Sequence, residues 1–151
     1  MKLSSYNLVM SAVFGGRQGQ RPPVGNPTSI ACHGLMEKAG VSFPTAHLDA
    51  EAMADLAMAG WEVLGFDTVM PEYSVVQEAA ALGAPVDWGD RDKMPDVKAF
   101  PNADFNDIVI PVDFLEKPSC RVVLDAISML RRQVGGRVAI LGKVMGPWTL
   151  S

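Results

Sequence analysis

Two glutamates and a serine follow an apolar run near the middle of the chain: Glu72, Ser74 and Glu78. A carboxylate at the end of a buried strand faces either a substrate pocket or solvent, so Glu72 is a candidate for substrate binding. Ser74, with a glutamine three residues later, forms a capping-box pattern, which predicts a helix that starts at Ser74. The first N–H groups of that helix could bind an anion, and Glu78 would contact substrate or complement the helix dipole.

Two further candidates lie elsewhere along the chain. Arg21, in the segment RPPVG, is open to two interpretations, a salt bridge within a loop or a contact with an anion. Gly146 follows a second apolar run and would let a ligand approach the backbone closely. We therefore predict a substrate-binding set of Arg21, Glu72, Ser74, Glu78 and Gly146, and the sequence assigns no catalytic residue.

The cysteines and histidines show no pattern typical of a metal site. Cys32 and His33 are adjacent and fall in a predicted helix, so packing is favoured over ligation. For His47, just before a predicted helix cap, a structural hydrogen bond is favoured over general-base catalysis. Cys120 is distant from Cys32, and two separated cysteines favour small buried residues in a protein of the reducing cytosol.

Strands and helices alternate around these candidates. FDTVM, residues 66–70, is apolar and β-branched and predicts a strand buried on both faces. The helix that starts at Ser74 closes at a glycine, and a second helix runs from a cap at Ser119 to Gly135. RVAILGKVM, residues 137–145, predicts another buried strand that leads into a loop and the first turn of a helix.

Three helices are predicted before the first strand. The first covers residues 3–14, the second covers residues 29–39, and Asp49 caps the third. The apolar stripe of the first helix is predicted to be Leu3, Tyr6, Met10, Val13 and Phe14. Because parallel strands need a crossover, which is usually a helix, the alternation predicts an α/β fold with a parallel sheet. Ligands of such sheets bind at the carboxyl ends of the strands.

The composition limits the classes of function. With 151 residues, 48% of them hydrophobic and 20% charged, the chain can form one ordinary globular core. The net charge is −4, and the longest basic run is Arg131–Arg132, which argues against a nucleic-acid partner. No run approaches the ~18 apolar residues that a membrane span requires. We expect a single domain that neither binds nucleic acid nor spans a membrane.

Several segments, in order along the chain, resemble landmarks of the uroporphyrinogen decarboxylase superfamily. They are RPPVG (21–25), GLMEKAGVSFPTAH (34–47), the GFD of the first strand, PEYSVVQEAAALG followed by VDWG, and VMGPWTLS. Within the superfamily these segments are most similar to the corrinoid methyltransferase branch. The resemblance runs from about Arg21 to the last residue, and its specificity comes from the order of the segments.

The resemblance implies a (β/α)8 TIM barrel, which needs about 250 residues. Residues 1–151 would be the N-terminal part of one truncated domain, with N-terminal helices and the first two strand–helix units. The implied activity is transfer of a methyl group from a methyl-cobalt corrinoid, the methylcobamide of a partner protein, to a small thiol such as coenzyme M. The family's zinc, held by a His-x-Cys pair and a later cysteine, lowers the thiol pKa. Those ligands are expected in the missing C-terminal half, so this chain alone is expected to be inactive, and its expected location is cytoplasmic.

Two alternatives stay open, a decarboxylase of the same superfamily and an inactive fragment that needs a complementary chain. The resemblance implies that decarboxylases follow their RPPV segment with several arginines, which bind a substrate that carries many carboxylates. Here the segment after RPPVG is NPTSIACHGLMEK, which contains no arginine. The decarboxylase aspartate after the first strand is replaced by PEYS. Both differences favour methyl transfer to a thiol.

Overall fold

The computed structural model describes residues 3–16, 21–26, 31–99 and 109–150. Residues 29 and 30 of the second predicted helix, and parts of the predicted loops, lie outside these described residues. The three helical regions predicted before the first strand are confirmed, and the third begins with an additional short helix. The four helices are α1 (Ser5–Phe14), α2 (His33–Ala39), α3 (Thr45–Leu48) and α4 (Ala50–Glu62).

The remainder of the chain carries the strands. Its elements are β1 (Thr68–Val69), α5 (Gln77–Ala81), β2 (Val86–Asp87), β3 (Asp96–Val97), a 3-10 helix (Phe114–Glu116), α6 (Pro118–Val134), β4 (Ala139–Ile140) and α7 (Pro147–Leu150). The predicted succession of strand, helix, second helix and strand is confirmed. Within the described residues, no helix is both long and apolar enough to cross a lipid bilayer.

β1 and β4 are parallel neighbours, as the alternation of strands and helices predicts. Thr68 pairs with Ala139 and Val69 with Ile140. One further backbone bond follows, from the Leu141 N–H to the Val69 carbonyl at 2.9 Å. Since α6 directly precedes β4, it serves as the crossover helix that returns the chain beside β1. The carboxyl ends of both strands therefore lie at the same edge.

An antiparallel hairpin lies in the region between residues 84 and 118, where the sequence predicts no strand. Val86 of β2 pairs with Val97 of β3. Gly89 has a φ of 73°, and a Cβ there would lie 2.0 Å from the Lys93 carbonyl oxygen, so the turn requires glycine. Each strand is two residues long, which is too short for an alternating pattern to be recognised.

The main core lies where α6 packs against α4. The apolar spacing of α4 predicts an inward face of Met53, Leu56, Ala57 and Gly60, and all four residues are buried. For α6 the spacing predicts Val122, Val123, Ala126, Ile127, Leu130 and Val134, and four of these are buried: Val122, Ala126, Leu130 and Val134. Val123 and Ile127 of α6 are only partly buried, because they line a cavity described below. The apolar period of 3.6 residues thus locates the core face of these two helices.

Of the predicted N-caps of α4 and α6, the structure confirms only that of α4. The cap of α4 is confirmed, because the Asp49 Oδ1 atom accepts a hydrogen bond from the Ala52 N–H at 2.8 Å. The Ser119 cap is wrong, since α6 begins at Pro118 with Lys117 as its N-cap residue. Proline suits the first turn, where its missing N–H would have no helical acceptor.

The predicted apolar stripe of α1 is also wrong. The helix buries Leu8 and Val9, whereas Val13 and Phe14 are 65% and 78% exposed. Apolar residues occur on more than one side of α1, so its sequence pattern leaves its orientation open. A tertiary contact fixes it, because the Tyr6 N–H donates to the Arg137 carbonyl beside β4.

The second predicted strand is shorter and less buried than expected. Val138 and Ala139 are buried, but Val144 is 83% exposed. Among the described residues β4 pairs with β1 on one edge only. Burial of the whole run from residue 137 to residue 145 would require neighbours on both sides.

Replacement of Leu130 tests the packing of α6 on α4. Leu130 has no exposed surface, so Leu130→Ala should lower the free energy of unfolding by about 2–5 kcal/mol. Leu124→Ala is the matched control, because Leu124 lies on the same helix and is 38% exposed. Urea unfolding followed by circular dichroism provides the measurement. Equal losses for the two variants would contradict this assignment of the core.

Candidate functional site

The first part of the loop after β1, from Met70 to Ser74, is buried. Pro71, Glu72, Tyr73 and Ser74 are all buried, and Glu72 is only 2% exposed. Pro71 has no N–H and therefore cannot extend the hydrogen-bond ladder toward β4. The chain leaves the sheet at this point and brings a carboxyl group to the carboxyl end of β1.

A cavity of about 330 Å³ opens beside this loop, between α5, α6 and the segment after β4. We call it the strand-end cavity. It is lined by Glu72, Gln77, Glu78, Phe114, Leu115, Cys120, Val123, Leu124, Ile127, Gly142, Lys143 and Val144. Its wall is mainly apolar, with two carboxyl groups and one ammonium group placed in it. Such a wall with few polar groups is typical of small-molecule sites.

The charged groups of the strand-end cavity act on one another. Burial raises the pKa of Glu72 to about 7, with Lys143 opposing this rise and Glu78 adding to it. Burial also lowers the pKa of Lys143, although the two glutamates oppose that change. Burial raises the pKa of the Cys120 thiol, and both glutamates contribute. At neutral pH, Glu72 is therefore able both to accept and to release a proton.

Two side-chain contacts join the strand ends across the cavity. The Lys143 Nζ atom donates a hydrogen bond to the Ser74 carbonyl at 2.8 Å. The Met145 N–H donates to the Glu78 Oε1 atom at 3.0 Å. Glu78 lies in the first turn of α5 and is partly buried. Both contacts link the chain after β1 with the chain after β4.

The predicted helix cap at Ser74 is wrong. Helix α5 starts at Gln77 with Val76 as its N-cap residue, and no side chain caps it. The Ser74 hydroxyl is buried and has no hydrogen-bond partner among the described residues. Gln77 does not complete a capping box, because its Nε2 atom donates to the buried His47 carbonyl at 2.8 Å. Long-range contacts therefore replace the local capping pattern.

Arg21 lies away from the strand-end cavity. Its guanidinium group binds the Asp67 carboxylate through two contacts, of 2.5 Å and 2.8 Å. The Val24 N–H donates to the same carboxylate. These contacts hold the pKa of Asp67 below its usual value. Of the two interpretations left open, the salt bridge is the observed contact, and an anion-binding role for Arg21 stays a prediction.

Gly146 is exposed and lies at the start of α7, where its carbonyl accepts a hydrogen bond from the Thr149 N–H at 3.0 Å. It does not line the strand-end cavity. Of the five predicted residues, the structure brings Glu72 and Glu78 together in the cavity wall and places Ser74 against Lys143. Substrate contacts by these residues stay predictions.

The structure revises the predictions for the histidines and cysteines. His47 is fully buried, its ring stacks on Phe43 with centroids 4.3 Å apart, and neither ring nitrogen has a hydrogen-bond partner among the described residues. The favoured structural hydrogen bond of its side chain is therefore wrong. Cys32 and His33 are exposed rather than packed, and His33 contacts Asp92 at 2.7 Å. Helix α2 starts later than predicted, which leaves Cys32 at its N-cap.

Lys143 and Cys120 line the strand-end cavity, and neither is among the predicted site residues. Cys120 was predicted to be buried, which is confirmed, but not to face a cavity. The available signal for Lys143 was a single lysine inside the apolar run AILGKVM. A charged residue in a strand predicted to be buried needs a partner, so its position indicated a functional or structural contact.

Parallel strands joined through helices, with a cavity at their carboxyl ends, define an α/β protein of the kind that binds small molecules at its strand ends. The sequence matches the uroporphyrinogen decarboxylase (URO-D) family over residues 6–151, and the chain belongs to that family. This membership confirms the family predicted from the ordered segments.

Its relatives include several methyltransferases. The chain is 33% identical over 141 residues to methylcobamide:CoM methyltransferase MtaA of Methanosarcina barkeri. The matched region covers 93% of this chain and 42% of that protein. It is 35% identical over 143 residues to the methylated-thiol–coenzyme M methyltransferase of Methanosarcina mazei, covering 94% and 38%. A solved methyltransferase structure from Methanosarcina mazei matches with a TM-score of 0.90 and 30% identity, covering 99% of this chain and 44% of that chain. The chain spans about two fifths of the length of these relatives.

A pair of alanine variants tests the revised role of Ser74. Asp49→Ala removes an observed helix cap and should lower the free energy of unfolding by about 1 kcal/mol. Ser74→Ala removes a hydroxyl that caps no helix, so it should cost less than Asp49→Ala. Thermal melting of both variants provides the comparison. A larger loss for Ser74→Ala would show that its hydroxyl stabilises the loop after all.

Glu72 should make the stability of the chain depend on pH. Its pKa is about 7 in the folded state and about 4.3 when unfolded. The folded state therefore holds more protons between these values, and its stability should fall as pH rises through this window. The expected loss is on the order of 1–3 kcal/mol between pH 5 and pH 8.

Glu72→Gln should remove most of this dependence, because glutamine does not titrate. Glu62→Gln, which changes an exposed residue at the end of α4, is the control and should retain the dependence. Urea midpoints at pH 5 and pH 8 provide the measurement. A parent-like pH dependence in Glu72→Gln would exclude Glu72 as its source.

Proposed function

We propose that this chain forms part of a corrinoid-dependent methyltransferase, which moves a methyl group from a methylcobamide to a small thiol such as coenzyme M. The observation that carries the proposal is the similarity to two relatives named as coenzyme M methyltransferases, each covering more than nine tenths of this chain. The name of the first relative also gives methylcobamide as methyl donor. The proposed partner is accordingly a protein that carries the corrinoid.

The proposed architecture is the N-terminal part of a (β/α)8 barrel, with residues 1–151 belonging to one domain. The parallel pair of β1 and β4 and the crossover helix α6 support this architecture. The match to 44% of a solved methyltransferase chain is consistent with a partial barrel. The strand-end cavity would then open at the barrel mouth, where barrel enzymes bind their substrates.

Within this proposal, Glu72 forms part of the wall of the thiol pocket and accepts the proton of the thiol. Its buried carboxyl group, with a pKa of about 7, lies in an apolar cavity of a size suited to a small molecule. The proton passes from sulfur to the Glu72 carboxylate, and the resulting thiolate attacks the methyl carbon. A sulfur–carbon bond forms, the cobalt–carbon bond of the donor breaks, and its electron pair stays on cobalt.

The described residues do not provide a zinc site. Among them, no three His, Cys, Asp or Glu side chains are grouped closely enough to hold a metal ion. Cys120 lines the strand-end cavity, but His33 and Cys32 lie on exposed parts of α2 and its start. We therefore assign no step of the reaction to a metal bound by these residues. Zinc ligands outside this segment stay a prediction from the family resemblance, as does a cytoplasmic location.

The decarboxylase alternative is less well supported by the cavity. A porphyrin substrate with several carboxylates requires several cationic partners. Among the residues that the structure describes, Lys143 is the single basic one that lines the strand-end cavity, and it faces two glutamates. Arg21 is occupied by Asp67. This charge arrangement favours a small, weakly charged ligand over a polycarboxylate.

The proposal can be tested with the chain alone and with a chimera that continues it with the C-terminal part of the Methanosarcina barkeri methyltransferase. Methylation of coenzyme M by methylcobalamin is the assay. The chain alone should show no turnover, and the chimera should be active. Glu72→Gln in the chimera should lower kcat/KM by about 100-fold or more, which is typical of a lost proton acceptor.

Glu62→Gln in the chimera is the control and should keep full activity, because Glu62 is exposed at the end of α4. Full activity of Glu72→Gln would show that Glu72 is not part of the thiol pocket. Turnover by the chain alone would refute the view that it is an incomplete catalytic unit. Porphyrinogen decarboxylation by the chimera, without thiol methylation, would establish the alternative function.

A further inference from the structure

The backbone contacts between the two parallel segments stop where the site begins. After the Leu141 N–H bond to the Val69 carbonyl, Pro71 has no N–H to offer. Two side-chain contacts take over beyond this point, from Lys143 to the Ser74 carbonyl and from the Met145 N–H to Glu78. The position of the loop that carries Glu72 therefore depends on side chains rather than on the sheet.

The groups that face Glu72 come from each element packed around it. Lys143 follows β4, Glu78 belongs to α5, and Cys120 belongs to α6. Burial lowers the pKa of His47, in α3, to about 4, and the charge of Lys143 adds to this effect. Of these groups, Lys143 is the one that can carry a positive charge near neutral pH, while Glu78 would add negative charge. The charge balance at Glu72 thus depends on Lys143.

We propose that Lys143 is a positioning residue for Glu72: its ammonium group joins the loops after β1 and β4 and keeps a positive charge beside the Glu72 carboxylate. The expected effect of Lys143 on catalysis rests on the proposed function, in which Glu72 accepts the thiol proton. The expected effect of Lys143 on the pKa of Glu72 does not depend on that function. Lys143 differs from a purely structural residue because its charge, as well as its hydrogen bond, is required.

Three substitutions separate the charge from the hydrogen bond. Lys143→Met removes both, Lys143→Gln keeps a donor for the Ser74 carbonyl without charge, and Lys143→Arg keeps a donor and the charge. Lys98→Met is the matched control, because it removes one positive charge from an exposed residue next to β3. If Lys143→Met does not fold, Lys143→Gln decides the question.

The first readout is carbon NMR of the 151-residue chain labelled with ¹³C at its glutamate carboxyl groups, with Glu72→Gln used to assign the Glu72 signal. The parent should titrate near pH 7. Lys143→Met and Lys143→Gln should move the Glu72 midpoint upward by about 1 pH unit or more, since a neighbouring cation is lost. Lys143→Arg and Lys98→Met should leave it in place. A midpoint that does not move in Lys143→Gln would overturn the proposal.

The second readout is the pH dependence of kcat in the chimera. Lys143→Gln should shift the acidic limb to higher pH by the same amount as the NMR midpoint, and Lys143→Arg should restore the parent profile. An inactive parent chimera would reject the proposed function, while the NMR result would still decide the role of Lys143. A changed KM with an unshifted pH profile would show that Lys143 contacts substrate and would overturn its role toward Glu72.

Discussion

The parallel pairing of β1 with β4 is the contact on which the rest of the site depends. These strands are short, and their pairing requires α6 to return the chain beside β1 in the correct register. The packing of α6 on α4 holds that return in place through fully buried residues such as Leu56 and Leu130. Because both strands run in the same direction, their carboxyl ends meet and two loops face one cavity.

The site is built where the regular structure ends. Pro71 stops the ladder, and the contacts of Lys143 and Glu78 then connect the loops in place of backbone bonds. Side chains that fulfil this connecting role also supply the charges of the cavity. Burial gives the Glu72 carboxyl a pKa near neutrality, and the nearby ammonium group limits that rise. Position and protonation of Glu72 are consequently coupled.

This arrangement supports the proposed methyl transfer to a thiol over chemistry on a large anion. An apolar cavity with one cation and two carboxyl groups can receive a small thiol and accept its proton. The similarity to coenzyme M methyltransferases supports the same proposal, and the chain spans about two fifths of the length of those relatives. The complete pocket would then combine these residues with groups supplied from outside this segment.

The sequence alone determined the family, the succession of β1, α5, α6 and β4, the core face of α4, most of the core face of α6 and the cap at Asp49. These features depend on local periodicity, on short-range hydrogen bonds or on ordered segments of sequence. Tertiary structure decided that Ser74 caps no helix, that α1 buries Leu8, and that Lys143 belongs to the site. Each of these outcomes depends on a partner distant along the chain. Local patterns show which hydrogen bonds a residue can make. The tertiary fold decides which possible partners lie within hydrogen-bond distance of that residue.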